Sequence, residues 1–208
     1  IDPNPDCAKS FLERKRLFSL PRSNWTDYNP ELISAGGGVF ERSAKSIPLS
    51  PETQKLLALN VNEMEPNQLI SALLQAPVDL LFNGGIGTYV KASTERNMEV
   101  GDKANDPLRV NADTLRCKAV GEGGNLGFTQ LARVEYAQHG GLIFTDFIDN
   151  SAGVDLSDHE VNIKILLSQA QHQQTLETKQ RNTLLCTMTV EVKKLVLQDN
   201  QNQTEALS

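Results

Sequence analysis

Three stretches of the chain set asparagine and small residues directly after short apolar runs. Val78-Asp-Leu-Leu-Phe82 runs into Asn83-Gly-Gly-Ile-Gly87. Cys117-Lys-Ala-Val120 runs into Gly121-Glu-Gly-Gly-Asn125. Gly141-Leu-Ile-Phe-Thr145 is followed by Asn150, Ser151, Gly153 and Ser157. Asparagine offers a donor and an acceptor on one rigid amide. Glycine lets a ligand approach the backbone closely. The chemistry these residues serve is ligand recognition, not attack by a protein nucleophile. Neither Ser151 nor Ser157 stands in a G-x-S-x-G context, so hydrolase chemistry has little support.

Other candidates have competing readings. Gly121-Glu-Gly-Gly-Asn125 imitates a dinucleotide phosphate loop, but the third glycine of G-x-G-x-x-G would fall at Leu126, and Glu122 would set a carboxylate beside a pyrophosphate. Asp2 ends an apolar start at Ile1, as does an acid that takes ribose hydroxyls at a strand end; Asp before Pro3 is also an ordinary turn signal. Asp155, Asp158, His159 and Glu160 are metal-ligand types, and a metal-dependent hydrolase would place its ion at Asp155 and His159. The favoured reading there is a capping box, Ser157-Asp-His-Glu160, with Ser157 at the cap; no metal is expected. Asp102, Asn105 and Asp106 read as turn formers.

The elements that must hold these turns follow from pattern. Each apolar run is a short buried strand, and a strand end that opens into a polar loop and then a helix is where open α/β sheets bind ligands. The three runs are therefore expected to be parallel neighbours whose carboxyl ends share one crevice. Helices are expected over Ser10 to Phe18, from Pro51 behind the cap Ser50, from Pro66, over about Phe128 to Gln138, and from Val161. Leu32-Ile33-Ser34 reads as a strand and 91–116 as irregular. A break near Ala170 to Thr178 leads to a last helical region, and the amide-rich tail from Gln198 reads as frayed. The fold class is α/β: a partial Rossmann-like doubly wound sheet of about four parallel strands, helices on both faces, and a helical C-terminal part.

The 208 residues suffice for one domain with a core, and 22% charged with 39% hydrophobic residues is ordinary globular composition. A net charge of −6 argues against nucleic acid as the main partner. No run approaches a membrane span and no signal peptide is evident, so no membrane partner is expected. Three scattered cysteines, Cys7, Cys117 and Cys186, fit reduced thiols in a cytoplasmic protein.

Taken together, the long motifs carry a family resemblance. Ile1-Asp-Pro-Asn-Pro-Asp6, Leu20-Pro-Arg-Ser23, Asp79-Leu-Leu-Phe-Asn-Gly-Gly-Ile-Gly-Thr-Tyr-Val-Lys91, Gly101-Asp-Lys-Ala-Asn-Asp106, Gly121-Glu-Gly-Gly-Asn-Leu-Gly127 and Asp149-Asn-Ser-Ala-Gly-Val-Asp-Leu-Ser-Asp-His-Glu-Val-Asn-Ile-Lys-Ile-Leu-Leu167 resemble the large-subunit, NAD-specific glutamate dehydrogenases of bacteria. The resemblance spans essentially the whole chain. It implies NAD as cofactor, L-glutamate and 2-oxoglutarate as substrate and product, and a homo-oligomeric full-length protein. It implies that 1–170 are the later part of an NAD-binding domain and 171–208 a C-terminal helical segment of a larger polypeptide. The phosphate loop and the family's catalytic lysine and aspartate are then expected upstream, with no catalytic residue here and an inactive isolated chain. By the same resemblance Asp2 holds the adenosine ribose, and Asn83, Gly84 and Gly85 pass near a cofactor ribose. Asn125 lies by the nicotinamide ribose, with Gly124 where smaller relatives have Ala. Asn150 lies by the nicotinamide, and Val154 and Ser157 line the substrate side-chain pocket. A reading of a different class is a non-catalytic nucleotide-binding regulatory module.

Overall fold

A computed structural model describes all of residues 1–208. The chain opens with α1 (Cys7–Ser19), started by Asp6, whose carboxylate accepts the Ala8 and Lys9 N–H groups. Then come β1 (Ile47–Pro48), α2 (Pro51–Leu57), β2 (Glu63–Met64) and α3 (Pro66–Leu74). Ser50 caps α2 by accepting from Thr53 N at 3.1 Å, and Pro51 and Pro66 occupy first-turn positions that lack intrahelical acceptors. β1 and β2 pair antiparallel.

The central part carries β3 (Leu80–Asn83), β4 (Val90–Lys91), α4 (Asn97–Val100), β5 (Val110–Asn111), β6 (Ala119–Glu122), α5 (Gln130–Gln138) and β7 (Leu142–Ile143). β3, β6 and β7 form one parallel sheet in that order, with Leu81, Val120 and Ile143 in register. β4 and β5 form a separate parallel pair. The chain ends with α6 (Asp146–Asp149), α7 (Asp155–His172) and α8 (Thr178–Leu207).

Two buried clusters sit under this frame. Val90, Val110, Val120, Phe128, Ala132 and Tyr136 pack between the sheet and α5. Ile47, Leu49, Leu57, Leu69 and Ala76 pack between α2, α3 and β1, and Val78 touches both clusters. The α/β class, the parallel sheet and the helical C-terminal part are as expected. Several details differ. The sheet has three parallel strands, not four. Leu32–Ser34 is no strand: Pro30–Leu32 is a 3-10 turn capped by Asn29, whose side chain accepts the Glu31 N–H. The helical cover lies on one face, where Val120 and Glu122 point inward. Leu80, Phe82 and Leu142 on the other face are 55%, 63% and 69% exposed. The tail is helical through Leu207. Its Asn200 docks inward, donating to Ile148 O at 2.6 Å and Ser151 Oγ at 2.7 Å, which fixes a segment whose composition alone reads as loose.

The polar region around 102–109 is ordered by Arg109, whose fully buried guanidinium reaches Thr88 O at 2.8 Å and Asp106 at 2.5 Å. Asp102 accepts from Asn105 Nδ2 and from Thr88 N, and these bonds, the Asn105 one first, hold its carboxyl below the ordinary Asp range. Asp102, Asn105 and Asp106 thus serve as turn formers.

Candidate functional site

The parallel register brings the ends of β3, β6 and the segment after β7 to one rim. Asn83 pairs in register with Glu122, so the turns 83–87 and 123–127 leave the sheet side by side. They touch through glycine. A Cβ at Gly124 would stand 2.6 Å from Gly85 O, and one at Gly127 would overlap the Asn83 amide. That contact accounts for glycine at 124, where an alanine would push the two turns apart. Gly85 has nothing within 4 Å of where a Cβ would stand, so its backbone is open to a ligand. Asn83 Nδ2 is buried with no hydrogen-bond partner.

The third wall is α6 and the loop after it. Asn150 donates from Nδ2 to Asn125 Oδ1 at 2.8 Å, joining two of the expected site residues directly. The Asn150 amide also lies on Gly153, where a Cβ would stand 2.7 Å from it. The bond leaves the Asn125 amide N–H groups as donors and Asn150 Oδ1 as an acceptor. Such a pair complements a primary carboxamide or a ribose diol.

Val154 and Ser157 continue from this wall. Val154 N donates to Asn150 O at 3.0 Å, and Val154, not Ser157, is the residue before the first turn of α7. The expected capping box is absent. Ser157 lies inside the first turn, where its exposed hydroxyl donates to Gly153 O at 2.7 Å, and Glu160 instead pairs with Lys164. The helix starts three residues earlier because Asn150 and Ser151 carbonyls accept the Val154 and Leu156 N–H groups and nucleate it.

Asp2 is apart from these three turns in its contacts. Its Oδ1 accepts from Ser34 N at 3.0 Å and from the Ser34 hydroxyl, while Ile1 and Gly38 exchange two backbone bonds. Asp2 Oδ2 is left buried and unpaired. Ser34 was read as the end of a strand; its structural part is to hold this carboxylate.

Behind the rim lies a set of charges that pattern reading passed over. Glu122 is fully buried, and Arg133 of α5 grips it through Nε–Oε1 at 2.6 Å and Nη2–Oε2 at 3.0 Å. Glu122 Oε2 also accepts Phe128 N at 2.9 Å. Asp149 Oδ2 takes the Glu122 N–H at 2.9 Å, beyond where β7 stops pairing with β6. Asp146 Oδ2 takes the Leu126 N–H at 2.8 Å, and its Oδ1 lies 3.3 Å from Arg133. Burial pushes the Asp149 carboxyl up, against the Glu122 N–H and the Arg133 charge, which pull it down. One clue was present in the sequence: Arg133 falls beside Ala132 and three residues before Tyr136, on the face of α5 that should be apolar.

His159 Nε2 lies 3.6 Å from Asp155 on α7 and 3.3 Å from Asp199 on α8. It works as a polar clamp between the two helices. No helix is long and apolar enough to cross a membrane, and all three cysteines are free.

Sequence comparison gives the family. The family model described as "Bacterial NAD-glutamate dehydrogenase, catalytic domain" matches residues 1–208. A protein named NAD-specific glutamate dehydrogenase from Pseudomonas aeruginosa is 62% identical over 208 residues, covering 100% of this chain and 13% of that protein. Proteins of the same name from Halomonas elongata and Mycobacterium tuberculosis are 58% and 55% identical, again over 100% of this chain and 13% of theirs. The chain therefore spans about an eighth of the length of these relatives, 13% in each case. With the whole chain matched, it belongs to the bacterial NAD-glutamate dehydrogenase catalytic-domain family.

Proposed function

We propose that this chain forms part of the NAD site of an enzyme that oxidatively deaminates L-glutamate to 2-oxoglutarate and ammonia. The observation that carries the reading is the Asn150–Asn125 amide pair at the rim shared by three parallel strand ends. Crevices at such rims are where α/β sheets bind dinucleotides.

In this reading Asn125 donates and Asn150 accepts toward the nicotinamide end, and together they fix which ring face meets the substrate. Asn83, Gly84 and Gly85 take the neighbouring ribose, with the open backbone at Gly85 giving the approach. When bound, NAD supplies the hydride acceptor. Val154 and Ser157 line the glutamate side-chain pocket, where the Ser157 hydroxyl can turn from Gly153 O to a carboxylate. Asp2 takes the adenosine ribose once Ser34 shares its carboxylate. Residues 1–170 act as the later part of the NAD-binding domain and 171–208 as a helical segment; the full-length enzyme is a cytoplasmic homo-oligomer.

No G-x-G-x-x-G loop lies among these residues to cradle a pyrophosphate. Residues 1–208 alone therefore bind NAD weakly and do not turn over glutamate. The test is NADH formation from L-glutamate by the full-length enzyme and by residues 1–208. Turnover by the former only is expected. Turnover by the 208 residues, or none by the full-length enzyme, contradicts the proposal.

A further inference from the structure

We infer that Arg133 is a positioning residue, which holds the turn 122–128 through Glu122 and Asp146 so that Asn125 meets Asn150 and the cofactor in one orientation. The inference deepens the proposed function and rests on it.

The turn is pinned by carboxylates at three points. Glu122 Oε2 takes the Phe128 N–H at its far end, Asp146 Oδ2 takes the Leu126 N–H, and Asp149 Oδ2 takes the Glu122 N–H at its near end. Leu126 sits at φ 56°, a left-handed conformation that a non-glycine residue keeps only when its surroundings impose it. Asn125 immediately precedes it.

Three acids this close repel one another, and Arg133 is the cation among them. Its two bonds to Glu122 form a planar fork that fixes direction as well as charge, and its Nη2 also faces Asp146. Arg133 is 6% exposed and Glu122 0%. A buried ion pair is a poor device for stability alone, because its desolvation cost offsets the attraction and apolar residues of similar volume serve as well or better. What an apolar pair cannot do is accept the Phe128 N–H and balance Asp146. The pair is thus explained by where it puts the turn.

The test is steady-state kinetics and thermal melting of the full-length enzyme, comparing wild type with the double variant Glu122→Met/Arg133→Met and with Asp146→Asn. Removing the pair as a pair leaves no half of it stranded, but the buried Phe128 N–H loses its acceptor, so the melting temperature should fall moderately with folding retained. The KM for NAD should rise about tenfold or more, the loss of one to two hydrogen bonds, and kcat should fall while the KM for glutamate stays within about twofold. Asp146→Asn keeps an acceptor for the Leu126 N–H but loses the charge facing Arg133, so a smaller rise in the NAD KM is expected with folding intact. A folded double variant with wild-type kinetics overturns the inference. If the double variant does not fold, Asp146→Asn decides: a raised NAD KM supports the inference, and an unchanged one overturns it. A wild-type enzyme without NAD-dependent glutamate turnover removes the proposed function and this inference with it, whereas active wild type with unaltered variants removes this inference alone.

Discussion

At the scale of single residues, hydrogen-bond direction separates roles that residue type alone leaves merged. Ser157 has the sequence context of a helix cap, yet its hydroxyl donates to Gly153 O and accepts no N–H of the first turn. Ser157→Ala in the full-length enzyme should therefore cost less than the roughly 1 kcal/mol of a lost cap. It should raise the KM for glutamate, lowering kcat/KM roughly ten- to a hundredfold as a bond to a carboxylate is lost. The KM for NAD should hardly change. A melting-temperature drop with an unchanged glutamate KM would leave Ser157 no part in the substrate pocket. The three asparagines were legible because amide and glycine recur together after each apolar run. Arg133 and Asp146 were not, since a charged residue in a helix reads as exposed until its partner across the fold is known.

At the scale of elements, strong local signals fixed what tertiary contacts did not override. Ser50-Pro51 and Thr129 start helices where caps and first-turn proline predict. The strands came out shorter than their apolar runs: β7 is only Leu142–Ile143, because Asp149 takes over the next N–H of β6. The C-terminal helix is the clearest departure. Glutamine and asparagine offer little burial, so the tail from Gln198 read as loose, but Val196 is buried and Asn200 bridges to Ile148 O and Ser151 Oγ. Asn200→Ala should cost about 0.5–1.5 kcal/mol, since Ile148 O and Ser151 Oγ still pair with each other, and amide hydrogen exchange over 198–207 should quicken. Unchanged protection there would mean that α8 is held by its contacts with α7 alone.

At the scale of the whole molecule, only 28 of 208 residues are buried, and a parallel sheet stands with one face bare. Parallel sheets are normally covered on both faces. Isolated residues 1–208 should therefore self-associate through Leu80, Phe82 and Leu142, and Leu80→Lys/Phe82→Lys should restore a monomer in light scattering with little change in melting temperature. Persistent association would place the sticky surface elsewhere. That the three strands are parallel neighbours was legible because three similar turns implied three similar strand ends; their order and the bare face were not, since alternation within a four-residue strand does not say what lies beside or opposite it. In the proposed site Asn125 and Asn150 act as one unit on the cofactor, and a double-mutant cycle in the full-length enzyme decides whether they do. With Asn125→Ala, Asn150→Ala and both together, kcat/KM for NAD should fall in each single variant and little further in the double. The coupling should be about 1 kcal/mol or more, as for groups that share a hydrogen bond. Additive losses, or single variants that leave kcat/KM for NAD unchanged, would contradict it.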